Sequence, residues 1–187
     1  MDEPQLPSTS AVNQTLAQHY ELCEIIEKGP FSTMHRAVHR ASGRVFAVKT
    51  VDLRRHSTNA GLTREDVDKE VEVCASLKHP YLCELRDVIA GEHRVHMVFE
   101  FLDGMDICFE IVKRTTAGFV YSEAVASHYM KQLLLGLVYM HERGIVHRDI
   151  RPHSAVLANK DNSSPIKLTS FSVAIRLPDP LATVDAG

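Results

Sequence analysis

The chain has 187 residues, 44% of them hydrophobic and 24% charged, with a formal net charge of −3. That is enough apolar material for one packed domain, and no basic stripe offers the phosphate contacts of a nucleic-acid partner. No apolar run is long enough to span a bilayer, and the acidic opening MDEPQLPSTSAVNQ lacks the apolar region of a secretory signal.

Residues 1–19 read as a polar, disordered tail. From Tyr20, YELCEIIEKGPFSTMHRAVHR contains two strand-like stretches about a Gly29-Pro30 turn. RVFAVKTVDL, rich in β-branched and aromatic residues, predicts a buried third strand. Arg54 to Leu62 is polar and loop-like. Thr63 begins a helix with Asp66 as capping partner, and Val67, Val71, Cys74 and Leu77 mark its buried face. His79-Pro80 ends it, because a residue before proline avoids the helical region. CELRDVIAG and HRVHMVFEFL predict two more strands about a turn at Gly91-Glu92.

Beyond Asp103-Gly104 the pattern is helical. MDICFEIVKRT predicts a short amphipathic helix. A long helix runs from an N-cap at Ser122 to Arg143, stopped by Gly144, with Ala126, Tyr129, Met130, Leu133, Leu137 and Met140 on its apolar face. IVHRDIRPHSAVLA, a polar turn KDNSSP and IKLTSFSVAI follow, and the last ten residues read as loop. Cys23, Cys74, Cys83 and Cys108 lack C-x-x-C spacing and read as reduced thiols of a cytosolic protein. His35/His39 and His93/His96 fall in strand regions without matching cysteine or carboxylate partners, which argues against a metal site there.

The order of the short motifs is more specific than any one of them. A broken glycine loop, Ala47-Val48-Lys49 on a strand, a helix with a central glutamate, a strand entering a short linker, and His147-Arg148-Asp149 together resemble the protein-kinase signature set. The resemblance implies an α+β, two-lobe fold. Residues 20–101 would form an N-lobe with a five-stranded antiparallel sheet and one helix, and residues 102–187 a mainly helical C-lobe. It also implies ATP as ligand. Lys49 would hold the α- and β-phosphates and Glu70 would position it, although a solvated surface glutamate is the alternative reading, one that suits Glu72 better. Asp149 would orient and deprotonate a substrate hydroxyl, beside Arg151, which stands where a phosphate-directed lysine is usual. Phe99 falls at the gatekeeper, Glu100 and Phe101 in the adenine-binding hinge, and Asp106 at the ribose contact. Met34 and Ala47 would cover the adenine from above and Val156 from below, with Ile26 and Gly29 as further nucleotide-binding positions. An ordinary apolar core would place the same apolar residues there.

The departures from the pattern bear on chemistry. Of three glycine-loop positions only Gly29 survives, with Glu27 and Ser32 at the others, and taken alone the loop reads as a β-turn. Ser154 stands where an asparagine, and Ser170 where an aspartate, would hold magnesium; Ser172 replaces a hinge glycine. No metal set is therefore expected. Phe171, His147, Cys74 and Leu85 are expected to form a hydrophobic column between the lobes. Each unscreened like-charge pair at ~5 Å costs on the order of 3 kcal/mol at an effective dielectric of ~20, and serine hydroxyls are poor magnesium ligands. ATP is expected to bind weakly, without magnesium, and phosphoryl transfer to be very slow or absent.

The longer runs MVFEFLDGMDICFEIVKR, AGFVYSEAVASHYMKQ and HRDIRPH are similar to the N-terminal kinase-like domain of the CASK-type calcium/calmodulin-dependent serine protein kinases, within the membrane-associated guanylate kinase scaffolds. The similarity runs from about Tyr20 to Leu177. It implies peptide segments of adaptor and scaffold proteins as partners, calmodulin through the wider protein, and a cytoplasmic, membrane-associated location at junctions or synapses. Nothing resembling Ala-Pro-Glu follows Ser172, so an incomplete C-lobe with exposed apolar surface is expected. Three readings stay open: a kinase-like interaction module, a residual serine/threonine kinase, and a fragment that does not fold alone. The loss of two independent metal ligands favours the first over the second.

Overall fold

The computed structural model describes residues 16–56, 62–120, 122–161 and 163–178. Most of the expected N-terminal tail, residues 57–61 of the polar loop and nearly all of the C-terminal loop lie outside the described residues. A helical turn α1 (Leu16–His19) leads into β1 (Tyr20–Lys28), β2 (Ser32–His39) and β3 (Val45–Asp52). Helix α2 (Arg64–Ser76) follows, then β4 (Leu85–Ala90) and β5 (Arg94–Glu100). These five strands form one antiparallel sheet in the order β1-β2-β3-β5-β4.

The third strand is central and buried on both faces, as its unbroken apolar run requires. Alternation sends Phe46 and Val48 to one face and Ala47, Lys49 and Val51 to the other. The first pair packs with Leu16, Tyr20, Ala37 and Val98. The described residues thus include Leu16–His19 of the expected tail as a helical turn, with Leu16 buried where it covers the outer face of the sheet. Tyr20 meets Phe46 edge-on, with ring centroids 5.8 Å apart. The Tyr20 hydroxyl donates to Asp87, and burial, then the Asp87 charge, pushes its pKa up.

The other face belongs to the main core, which holds Ala47, Val51, Met97 and Phe99 of the sheet, Val67, Val73 and Cys74 of α2, and Met140, Ile145, Leu168 and Phe171 from later in the chain. Helix α2 starts as expected. Thr63 Oγ1 accepts from the Asp66 amide at 3.2 Å and Asp66 Oδ2 accepts from the Thr63 amide at 2.9 Å. Its buried face holds Val67, Cys74 and the flanking Leu77, with Val73 more deeply placed than the expected Val71.

After the sheet come α3 (Ile107–Thr116), α4 (Glu123–His141), β6 (Ile145–Val146), β7 (Ala155–Leu157), β8 (Ile166–Leu168) and β9 (Ile175–Arg176). Two small antiparallel sheets, β6-β9 and β7-β8, accompany the two helices of this mainly helical lobe. Ser122 caps α4 as predicted. The expected apolar face needs correction: Ala126 and Met130 are exposed, while Tyr129, Gln132, Gly136 and Met140 are buried. Helical spacing cannot tell which of two adjacent apolar stripes turns inward. Gln132 fixes the choice by accepting the Ile166 amide of β8 at 2.8 Å, and Gly136 by admitting Leu82 against the helix backbone. The other stripe, Met130, Leu134, Leu135 and Val138, stays exposed. No helix among the described residues is long and apolar enough to cross a membrane.

Candidate functional site

Lys49 sits in mid-strand on β3, in register with Met34 of β2 and Met97 of β5. Its inward side chain reaches Glu70 on α2, with Nζ 2.6 Å from Oε1 and 2.7 Å from Oε2. The pair is largely shielded, Lys49 being 14% and Glu70 5% exposed. The Glu70 carboxylate is thus placed by the helix and held by one cation, and the surface reading of Glu70 fails. Glu72, on the outward side of α2, is 69% exposed and faces Arg176 of β9.

Ala47 and Phe99 are register partners on β3 and β5, buried in the main core with Met34 and Phe101 packed against it. Ile26 lies exposed on β1 and Glu27 is exposed opposite Met34. The Gly29 amide is spent within the turn, donating to the Ser32 carbonyl at 2.9 Å. Here the loop has the local geometry of a β-turn.

Glu100 ends β5 and does more than lend its backbone to a hinge. Its Oε1 accepts from Lys167 Nζ of β8 at 2.6 Å and from the Glu84 amide at 2.8 Å. The ion pair fastens the large sheet to the small β7-β8 sheet. Lys167 was not singled out by sequence; the only signal is a lysine between the buried Ile166 and Leu168 of a short strand. Asp106 forms the N-cap of α3, its Oδ1 accepting from the Phe109 amide at 2.9 Å, and its backbone bridges to Val156 of β7.

The catalytic-loop motif follows β6. His147 is buried; its Nε2 donates to the Thr169 carbonyl at 2.9 Å and its Nδ1 accepts the Asp149 amide at 3.2 Å. Burial pushes the imidazole pKa down, against smaller opposing effects of that carbonyl and of Asp149. The neutral ring so fixed orients the Asp149 backbone. It meets Phe171 in a T-shaped contact with centroids 5.4 Å apart, and Cys74 and Leu85 belong to the same core as Phe171. Burial raises the Cys74 thiol pKa far beyond its ordinary range, so this cysteine is structural. The Asp149 carboxylate is 38% exposed and lies 3.3 Å from Arg151 Nε.

The two magnesium-position serines behave differently. Ser154 is buried, and its hydroxyl oxygen accepts the Arg151 amide at 3.1 Å while lying 2.8 Å from the Arg151 carbonyl and 3.1 Å from that of Asp149. The hydroxyl is absorbed by the loop's own backbone. Ser170 is exposed at φ +68°, and Arg148 also holds φ +68°. Left-handed backbone at non-glycine residues is costly and collects at functional sites. Arg148 is held there by donating from Nε to the Val173 carbonyl. Neither serine offers a carboxylate. The charged groups placed by this geometry are the Lys49 cation with its buried partner Glu70 and the half-exposed Asp149 beside Arg151.

Residues 20–185 match the protein kinase domain family. The chain is 47% identical over 162 residues to protein lin-2 of Caenorhabditis elegans, covering 87% of this chain and 17% of that protein. It is 34% identical over 163 residues to calcium/calmodulin-dependent protein kinase type II of Caenorhabditis elegans, covering 87% of this chain and 22% of that protein. The Caenorhabditis briggsae protein of the same description is also 34% identical over 163 residues, with 29% of its length covered. The chain therefore spans less than a third of each of these relatives.

Proposed function

The chain belongs to the protein kinase domain family, on its CASK-like branch, and from that premise we propose that it binds ATP weakly, without magnesium, and acts chiefly as a docking module for other proteins. The observation that carries this reading is the fate of Ser154. Its hydroxyl is engaged with Arg151 and Asp149 backbone atoms rather than facing a metal, and magnesium prefers carboxylate and phosphate oxygens to a neutral hydroxyl. Lys49 remains the phosphate anchor and Arg151 a second cation near Asp149. The hinge around Glu100 and Phe101 would take adenine, Asp106 the ribose side, and Val156 the lower face of the ring.

A thermal-shift titration tests the reading. ATP is expected to raise the melting temperature equally or more in EDTA than in magnesium, and Lys49→Ala to remove the shift. A shift that appears only with magnesium overturns it. The second reading, a residual serine/threonine kinase, is favoured by the closed Lys49–Glu70 pair and the retained Asp149. Peptide phosphorylation abolished by Asp149→Ala would establish it over the docking role. Adaptor and scaffold peptides are the proposed partners, with calmodulin and a junctional or synaptic membrane reached through the wider protein.

A further inference from the structure

At the start of α3, three different metal-ligating side chains converge. Asp106 is the N-cap, Cys108 stands in the first turn, and His153 comes from the 3-10 turn Pro152–Ser154. One ligand atom of each lies within 4.8 Å of the other two. We propose that Asp106, Cys108 and His153 form a binding site for a thiophilic divalent cation of the zinc type.

The spacing suits the ion. Two ligands about 2.1 Å from a tetrahedral centre are separated by about 3.4 Å, and His153 Nδ1 lies 3.4 Å from Asp106 Oδ1. That contact is within ion-pair reach. Cys108 is half-buried and His153 is 62% exposed. The Phe109 amide holds the carboxylate in place through Oδ1, leaving Oδ2 as a further oxygen. Sulfur, imidazole nitrogen and one carboxylate with an open fourth position is a donor set for zinc or cobalt, not magnesium. The site shares Asp106 with the proposed ribose contact, and it uses neither Ser154 nor Ser170.

Cobalt(II) added to the reduced full chain tests this, because a thiolate ligand gives a sulfur-to-cobalt charge-transfer absorption. One equivalent is expected to give that band and zinc to displace it. Cys108→Ser should abolish the band while Cys23→Ser leaves it intact. His153→Gln and Asp106→Asn should each weaken binding by about tenfold or more, the range that even outer-sphere partners command; asparagine preserves the helix cap. Circular dichroism confirms that each variant is folded. A folded chain without the band, a band that survives Cys108→Ser, or unchanged affinity in both His153→Gln and Asp106→Asn overturns the assignment.

Discussion

Arg151 Nε lies 3.3 Å from Asp149 Oδ2, so the aspartate of the catalytic loop meets a cation two residues along its own chain. Arg151 is 60% exposed, and a pair so open to water contributes about 1 kcal/mol at most. Arg151→Ala should therefore shift the melting temperature by no more than about 2–4 °C. It should weaken ATP binding, because one of the two counter-charges is lost. Paired thermal-shift and equilibrium-binding measurements separate the two effects.

The Lys49–Glu70 pair behaves oppositely because it is shielded. Lys49→Met would strand a carboxylate that is 5% exposed, at a cost of about 3–5 kcal/mol. The double variant Lys49→Met/Glu70→Leu should recover most of that stability, since an apolar pair removes both desolvation costs. Urea unfolding measures both, and a double variant no more stable than Lys49→Met would contradict the electrostatic account. Neither variant should show the ATP-dependent shift.

Ser170 pays for a left-handed backbone that a glycine adopts freely. Ser170→Gly should stabilise the chain by up to about 1 kcal/mol, the left-handed penalty less the added entropy of the unfolded chain. Ser170→Val, whose branched side chain fits that region worst, should destabilise it. Denaturant midpoints give the sign directly.

Restoring a carboxylate should restore a metal response. Ser170 is exposed and its hydroxyl has only a weak contact, 3.4 Å to Thr169 Oγ1, so Ser170→Asp displaces little. ATP with magnesium is then expected to stabilise Ser170→Asp more than ATP in EDTA, reversing the order expected for the parent chain. Ser154→Asn should fail as a single change, because the buried hydroxyl carries hydrogen bonds of the loop.

Acid should unfold the protein partly through histidine. Burial pushes the pKa values of His79, His96 and His147 below the ordinary 6.5. Above about pH 6.5 these rings are neutral folded or unfolded and the contribution is constant. Below that the unfolded chain takes up protons first, so stability falls as pH drops toward the folded-state values. Urea midpoints at pH 7, 6 and 5 should decline, and His96→Gln should flatten the decline.

Gly104 offers a steric test of how the hinge meets the small sheet. A Cβ there would press on the Leu157 carbonyl and lie 2.6 Å from the Asn159 carbonyl, both backbone atoms that cannot turn aside. Gly104→Ala should cost about 1–3 kcal/mol, whereas alanine at the exposed Gly91 should cost little, its nearest neighbour being 3.4 Å away.

The five strands of the large sheet, helices α2, α3 and α4, and the Thr63–Asp66 and Ser122 caps were legible in the sequence, because alternation, helical spacing and capping are local properties of the chain. The Lys49–Glu70 pairing was legible too, once motif order gave Glu70 a partner 21 residues away. The apolar face of α4 was not: Ala126 and Met130 satisfy the helical period as well as Gln132 and Gly136 do, and only contact with Leu82 and Ile166 selects the stripe. Nor did the sequence announce the Glu100–Lys167 pair, joined from β5 and β8, or the approach of His153 to Asp106 and Cys108 at the start of α3. That serines stand at positions 154 and 170 is a fact of sequence. That one hydroxyl is consumed by backbone while the other stands in a strained, open position was decided by tertiary structure, because hydrogen-bond partners and backbone angles are set by what packs around them.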